Sequence, residues 1–185
     1  MSNIKKQRAI KAKENLDIKG NQYKNIYESS KDAIMILEPP SWKFTAGNPS
    51  AVKLFGGKNE AEFLKNTPED LSPKSQPDGK SSKIKAREMI NLAMTKGDAF
   101  FDWKHKKMNK KEFHAKVLLT KFQKCRKYVL QATVRDITKE VELTEKIIKN
   151  TKELEKFNAF AVDRELKMIE LKKRIKELEK LLKNK

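Results

Sequence analysis

The sequence predicts an α+β domain, an antiparallel sheet with helices gathered on one side, followed by a long C-terminal coiled-coil helix. Three observations point there. Strand-like segments come as two, then a stretch of helical spacing and turn signals, then three more. Apolar residues gather between Ile26 and Ile137, where a core can close, while both ends are polar and charged. From Thr138 onward the chain has neither Gly nor Pro, and its apolar residues recur in steps of four and three. The 185 residues therefore divide into a basic lead-in over 1–22, helical or disordered, a domain over 23–138 and a coiled-coil helix over 139–185.

In order along the domain, Tyr23, Ile26 and Tyr27 sit at helical spacing, and Ser29-Ser30-Lys31-Asp32 ends that short helix. Ala33 to Leu37 is an apolar strand stopped by Pro39-Pro40, and a second strand runs from Trp42 to Ala46. Asn48 is placed to cap a helix with Pro49 at its first position, and Gly56-Gly57 closes it after Phe55. A second capped turn opens at Asn59, and Pro77-Asp78-Gly79 marks a turn in a polar loop. The longest helix of the middle region spans about Lys83 to Thr95, with Ile84, Met89 or Ile90, and Ala93 or Met94 on its buried side. Phe101, Trp103 and His105 then alternate with polar residues, as do Phe113, Ala115, Val117 and Leu119, and a last strand runs from Tyr128 to Val134. Turns at Met108-Asn109-Lys110 and Gln123-Lys124-Cys125 join these three strands as a meander.

The tail holds one unbroken heptad register: Leu143, Ile147, Asn150, Leu154, Phe157, Ala161, Arg164, Met168, Leu171, Ile175, Leu178 and Leu182. Asn150 and Arg164 are the polar exceptions, a pattern that fixes register and partner number at some cost in stability. A seam of that length outruns a domain of this size, so its outer half needs a second chain, and a homodimer is expected.

No apolar run approaches the roughly 18 residues of a membrane span, and the basic N-terminus has no apolar signal segment. A cytoplasmic location without membrane attachment is expected. One cysteine, Cys125, rules out an internal disulfide and a cysteine zinc site. The net charge is +18, and Lys104 to Lys127 holds ten Lys or Arg against one acid, Glu112. Such a face can bind phosphates, which makes a nucleic-acid-binding or scaffold protein the alternative function. Lysines that solvate strands and block edge pairing explain the same charge, and no aromatic-interleaved basic motif accompanies it. Gly-rich phosphate loops, nucleophile elbows and paired catalytic carboxylates are missing, so no enzyme is expected.

Several segments together resemble the PAS (PAS/PAC, S-box) sensor family between Tyr23 and Thr138. They are Tyr27 to Ile34, Asn48-Pro49-Ser50-Ala51, Leu54-Phe55-Gly56, Leu71-Ser72-Pro73, Gln76-Pro77-Asp78-Gly79, Phe101 to His105 and Arg135-Asp136-Ile137-Thr138. The stretch from Phe157 to Ile175 is similar to the connectors after such domains in sensor histidine kinases and diguanylate cyclases. The resemblance implies a five-stranded antiparallel sheet with helices over one face, a small-ligand pocket and signalling through the terminal helix. It implies a two-component setting, a histidine kinase or other signalling protein as partner in trans, and no transmitter domain within these residues.

Ile34, Ile36, Phe55, Met89, Trp103, His105 and Leu130 are the pocket candidates, and packing into plain core is the first reading of all but His105. Light-sensing relatives use a reactive cysteine on a central helix, which this chain lacks, so flavin would bind only non-covalently. His105 shares a strand face with Phe101 and Trp103, making it a candidate axial haem ligand or a satisfied, partly buried histidine. No cofactor is the leading expectation. Asp136 and Thr138 mark the junction between sheet and coil, as a signal relay or as a plain helix cap.

Overall fold

The computed structural model describes residues 18–183, with side chains through residue 180, so most of the lead-in lies outside the described residues. Residues 18–29 form one helix, α1, and Gly20-Asn21, expected to end the lead-in, lie inside it. Strands β1 (Ala33–Glu38) and β2 (Lys43–Gly47) precede α2 (Pro49–Phe55), α3 (Glu60–Phe63) and α4 (Ser82–Lys96). Strands β3 (Asp98–Lys106), β4 (Glu112–Lys124) and β5 (Lys127–Asp136) follow, then α5 (Thr138–Lys183). The five strands make one sheet in the order β2-β1-β5-β4-β3, every neighbouring pair antiparallel. This is the α+β class that the element order predicts.

Strand alternation sorts the sheet into two faces. Ala33, Met35 and Leu37 of β1, Trp103 of β3, Val117 and Leu119 of β4, and Leu130, Ala132 and Val134 of β5 are buried under the helices. Phe55 and Phe63 descend from α2 and α3 onto that face with their rings 5.9 Å apart. Each such fully buried side chain contributes on the order of 1.5–3 kcal/mol of transfer free energy. The close approach of Phe63 explains Gly47, where a Cβ would sit 2.7 Å from the ring.

Asn48 ties the first half of the domain together. It is fully buried, and its Nδ2 donates to the carbonyls of Tyr27 (3.1 Å) and Asp32 (3.0 Å). Its Oδ1 accepts from the backbone N–H groups of Ile34 (3.0 Å) and Ala51 (2.9 Å), the second bond capping α2. Gly56, left-handed at φ 82°, ends that helix.

Two expectations shift in detail. Helix α4 buries Ser82, Ile90 and Ala93, while Ile84 is 59% exposed, because the inward stripe starts at Ser82 and Ile84 falls off it. The turn between β4 and β5 is not Gln123-Lys124-Cys125: pairing continues to Lys124↔Lys127, and Cys125 and Arg126, both left-handed at φ 45° and 67°, form a two-residue hairpin loop.

The chain divides into two units between Thr138 and Lys139. The second is helical throughout its described length. Leu143, Ile147, Leu154, Phe157, Met168, Leu171, Ile175 and Leu178 are all exposed on it. Asn150 and Arg164 are exposed as well, Ala161 is half-exposed, and the Leu182 side chain lies outside the described residues. Phe160, Val162, Leu166 and Ile169, off the predicted seam, are exposed too.

Candidate functional site

Beneath the helices the inner sheet face leaves a cavity of about 60 Å³. Its floor is sheet, including Met35, Val117 and Ala132, and its roof includes Ala86 and Ile90 of α4. Of the candidates named from sequence, only Trp103 and His105 reach it. Phe55 and Leu130 are fully buried core beside it, and Met89 packs against the core from partial exposure. Ile34 and Ile36 are a correction: both are half-buried and alternate with Ala33, Met35 and Leu37, so they stand on the opposite sheet face. The residues that do line the cavity from β1 are Met35 and Leu37, the other phase of the same alternation.

The cavity wall has few polar atoms, and nearly all are occupied. Trp103 Nε1 donates to Ser72 Oγ (3.1 Å), which donates to the Pro68 carbonyl (2.8 Å). The Leu71 carbonyl lies 3.1 Å from His105 Nδ1 and also accepts from the Lys106 N–H at 2.9 Å. A carbonyl only accepts, so the partner assigns the proton to Nδ1 and leaves Nε2 a bare acceptor. Nε2 is buried and has no partner, although the residue as a whole keeps some exposure. Burial lowers the imidazole pKa to about 4, opposed in part by the Leu71 bond, so the ring is neutral at physiological pH. Phe113 stacks on the ring at 5.5 Å, and Phe55 meets it edge-on at 5.2 Å.

This geometry tests the two cofactors considered above. An imidazole anchored through Nδ1 with a free Nε2 has the donor arrangement of an axial ligand. The space does not match: pockets for drug-sized molecules run to about 300–1,000 Å³, and a haem or flavin is at least that size. The cavity surface is apolar and Nε2 itself is buried, so the walls offer a flavin ring edge no polar partner. Neither group fits, and no step is derived through one. Among the described residues no group of three or more His, Cys, Asp or Glu is placed to hold a metal ion.

Gln76, named from the sequence only within the PAS-like segment Gln76 to Gly79, pairs with the edge of β3. Its Oε1 accepts from the Lys104 N–H at 2.8 Å, and its Nε2 donates to the Lys104 carbonyl at 3.1 Å and to Ser82 Oγ at 2.8 Å. A side-chain amide thereby does the work of a sixth strand at the rim of the site.

The second assembly lies at the end of β5. Asp136 Oδ1 accepts from the Thr138 N–H (2.9 Å) and hydroxyl (2.6 Å). Thr138 Oγ1 accepts from the His114 N–H (3.1 Å), and the Ile137 N–H donates to the His114 carbonyl (2.9 Å). The first residue of α5 is thus bonded to strand β4 as well as to the strand it leaves. Next to it, the Arg135 guanidinium forms a two-pronged pair with Asp32 at 2.9 and 2.7 Å, joining the end of β5 to the start of β1.

The basic stretch from Lys104 to Lys127 is in good part spoken for. Lys104 pairs with Glu112 and Lys124 with Glu38, both at 2.7 Å, and Lys121 Nζ donates to the Met94 carbonyl at 2.7 Å. Lys107 and Lys116 lie over the Phe113 and Phe100 rings. Among the described residues no helix is long and apolar enough to cross a membrane.

No family model matches the sequence, and no curated protein matches it. Solved structures do match. One is a PAS domain from a two-component sensor histidine kinase, at TM-score 0.51 and 15% identity over 66% of this chain and 98% of that one. Another is the PAS domain of a protein from Colwellia psychrerythraea, at TM-score 0.54 and 14% identity over 64% of this chain and 97% of that one. A third, an RNA-binding light-oxygen-voltage receptor, matches at TM-score 0.57 and 16% identity over 74% of this chain, which spans 38% of it. At these identities the shared property is the fold.

Proposed function

We propose, from the PAS fold shared with these structures, that this chain is a non-catalytic cytoplasmic sensory module. Its α5 pairs with the α5 of a second copy in a parallel coiled coil, and the pair relays the state of the sheet to a signalling partner of the histidine kinase type. The observation that carries the reading is the junction at Asp136, Thr138 and His114. Because the start of α5 is bonded to two adjacent strands, a change in their relative position changes the direction or phase in which the helix leaves. The exposed apolar heptads supply the reason for pairing, since a helix with that stripe open to water is completed by a like helix. The cavity, lined by Val117 of β4 and Val134 of β5, supplies an input on the same two strands.

The test is a distance measurement between spin labels at Glu153→Cys on paired chains, in a Cys125→Ser background. Asp136→Ala removes both bonds to Thr138 and is expected to shift or broaden the distance distribution. An unchanged distribution would show that Asp136 is only a cap, and absence of a pair distance in wild type would remove the dimer.

A further inference from the structure

The surface of the domain carries a groove of about 450 Å³ between the β1–β2 turn and α4, bounded also by the loop from Thr67 to Glu69. We infer that this groove is a binding site for small planar aromatic carboxylates, with the ring against Trp42 and the carboxylate on Arg87. Three features select the class. Pro68, Ala86 and Ile90 give the groove an apolar part, and Ala86 and Ile90 share one face of α4 with Lys83 and Arg87, at steps of three and four. Trp42, half-buried against the core, adds a flat indole wall. The charged side chains of the lining are three cations, Lys43, Lys83 and Arg87, and one carboxylate, Glu69. Lys83 pairs with Glu69 at 3.3 Å, and Lys43 shares its field with the Asp70 carboxylate. Arg87, exposed on α4, has no acidic partner among the described residues.

The backbone supports the assignment. Trp42 is left-handed at φ 53°, and its N–H donates to the Glu38 carbonyl at 2.9 Å. A bulky residue in that region is a conformational outlier, and such outliers gather where a side chain is held for a ligand. Glycine would make the same turn without strain, so what the strain secures is the placement of the indole. Size and charge set the rest. Small-molecule sites run to about 300–1,000 Å³, and this groove falls in the lower part of that range, which suits a one- or two-ring acid. A monocarboxylate matches the single unpaired guanidinium, whose fork of N–H donors suits a planar carboxylate. A neutral ring forgoes that contact, and a polyanion meets Glu69. The groove is separate from the junction at Asp136, so the site stands whether or not the coil relays a signal.

The probes are indole-3-acetic acid, ionised at neutral pH, and its uncharged isostere indole-3-acetamide, titrated against the full chain at low salt. The Trp42 indole N–H and the Ala86 and Ile90 methyl groups are the NMR reporters. Trp103, the one other tryptophan and bonded to Ser72 in the interior, is the internal control. The acid is expected to saturate the reporters and to bind about fivefold tighter than the amide, the value of a good exposed charge pair. The gap is expected to narrow as salt rises. Arg87→Gln is expected to bring the two ligands within about twofold of each other, whereas Lys96→Gln, which removes an equal charge from the end of the same helix, keeps the preference. Both side chains are exposed, so neither substitution disturbs the core. Acetate ion alone is expected not to saturate the reporters, because it has no ring to place against Trp42. Equal binding of acid and amide by wild type, equal loss of the preference in Lys96→Gln, saturation by acetate ion, or shifts that miss Trp42 would overturn the inference.

Discussion

Asn48→Ala is the substitution whose cost can be built up from individual bonds. The wild-type amide makes four, two as donor to Tyr27 and Asp32 and two as acceptor from Ile34 and Ala51, in a residue with no exposed surface. Losing the α2 cap costs about 1 kcal/mol. Leaving the Ile34 N–H and the Tyr27 carbonyl without their Asn48 partner adds about 1 kcal/mol each, while the Asp32 carbonyl keeps the Ser30 hydroxyl at 3.3 Å. The sum is about 3 kcal/mol, a large share of the 5–15 kcal/mol by which typical domains are stable. Asn59→Ala is the internal control, because Asn59 caps α3 through the same kind of bond to Glu62 (2.9 Å) in an exposed position, and about 1 kcal/mol or less is expected. Urea unfolding followed by tryptophan fluorescence gives both values. A loss below about 1 kcal/mol for Asn48→Ala, or equal losses for the two variants, would refute the view that burial multiplies the value of this amide.

Three further outcomes follow from the same structure. Gln76→Ala is expected to destabilise by about 2 kcal/mol and to raise hydrogen exchange at Lys104, whose N–H loses its acceptor; unchanged exchange there would contradict the pairing. His105 has a folded pKa lowered from 6.5 to about 4, so as pH falls through that window the unfolded state takes up a proton that the folded state refuses. Wild type should therefore lose roughly 3 kcal/mol between pH 7 and 4 that His105→Phe does not lose, read from urea midpoints at each pH. In the coil, Leu154→Lys should dissociate the pair, and Asn150→Leu should tighten it or change its stoichiometry, both measured by sedimentation equilibrium.

The sheet was legible in the sequence because period-two alternation and turn residues are local signals. Asn48 was readable as a cap from Pro49 following it, yet its bonds to Tyr27 and Asp32 depend on how α1 and β1 meet, which no local pattern encodes. The cavity was legible only in part. Trp103 and His105 stand out as a polar-tipped pair in an apolar phase, while β1 is apolar in both phases, and sequence alone cannot tell which of Ile34 and Ile36 or Met35 and Leu37 faces inward. Gln76 stands in a PAS-like segment, but its pairing with β3 was not legible for a related reason: it spans 28 residues, and an amide in a polar loop carries no local sign of it. The Asp136 to Thr138 spacing did announce a cap, but the bond from His114 to Thr138 comes from a strand two dozen residues earlier.

The strand order has a consequence for how the domain comes to exist. The first strand and the last lie side by side, Ala33 opposite Val134, in the middle of the sheet. On a ribosome β1 emerges early and then waits, its inner edge unsatisfied, until β5 arrives about a hundred residues later. The β3-β4-β5 meander can zip locally, but joining it to the amino-terminal hairpin closes a loop of nearly the whole domain, a slow, high-contact-order step. Neither half is then expected to persist as a fragment. Since β5 runs directly into α5, the segment that completes the sheet is also the last to be made before the helix, so a coil can be presented to a partner only by a chain whose final strand has already been synthesised.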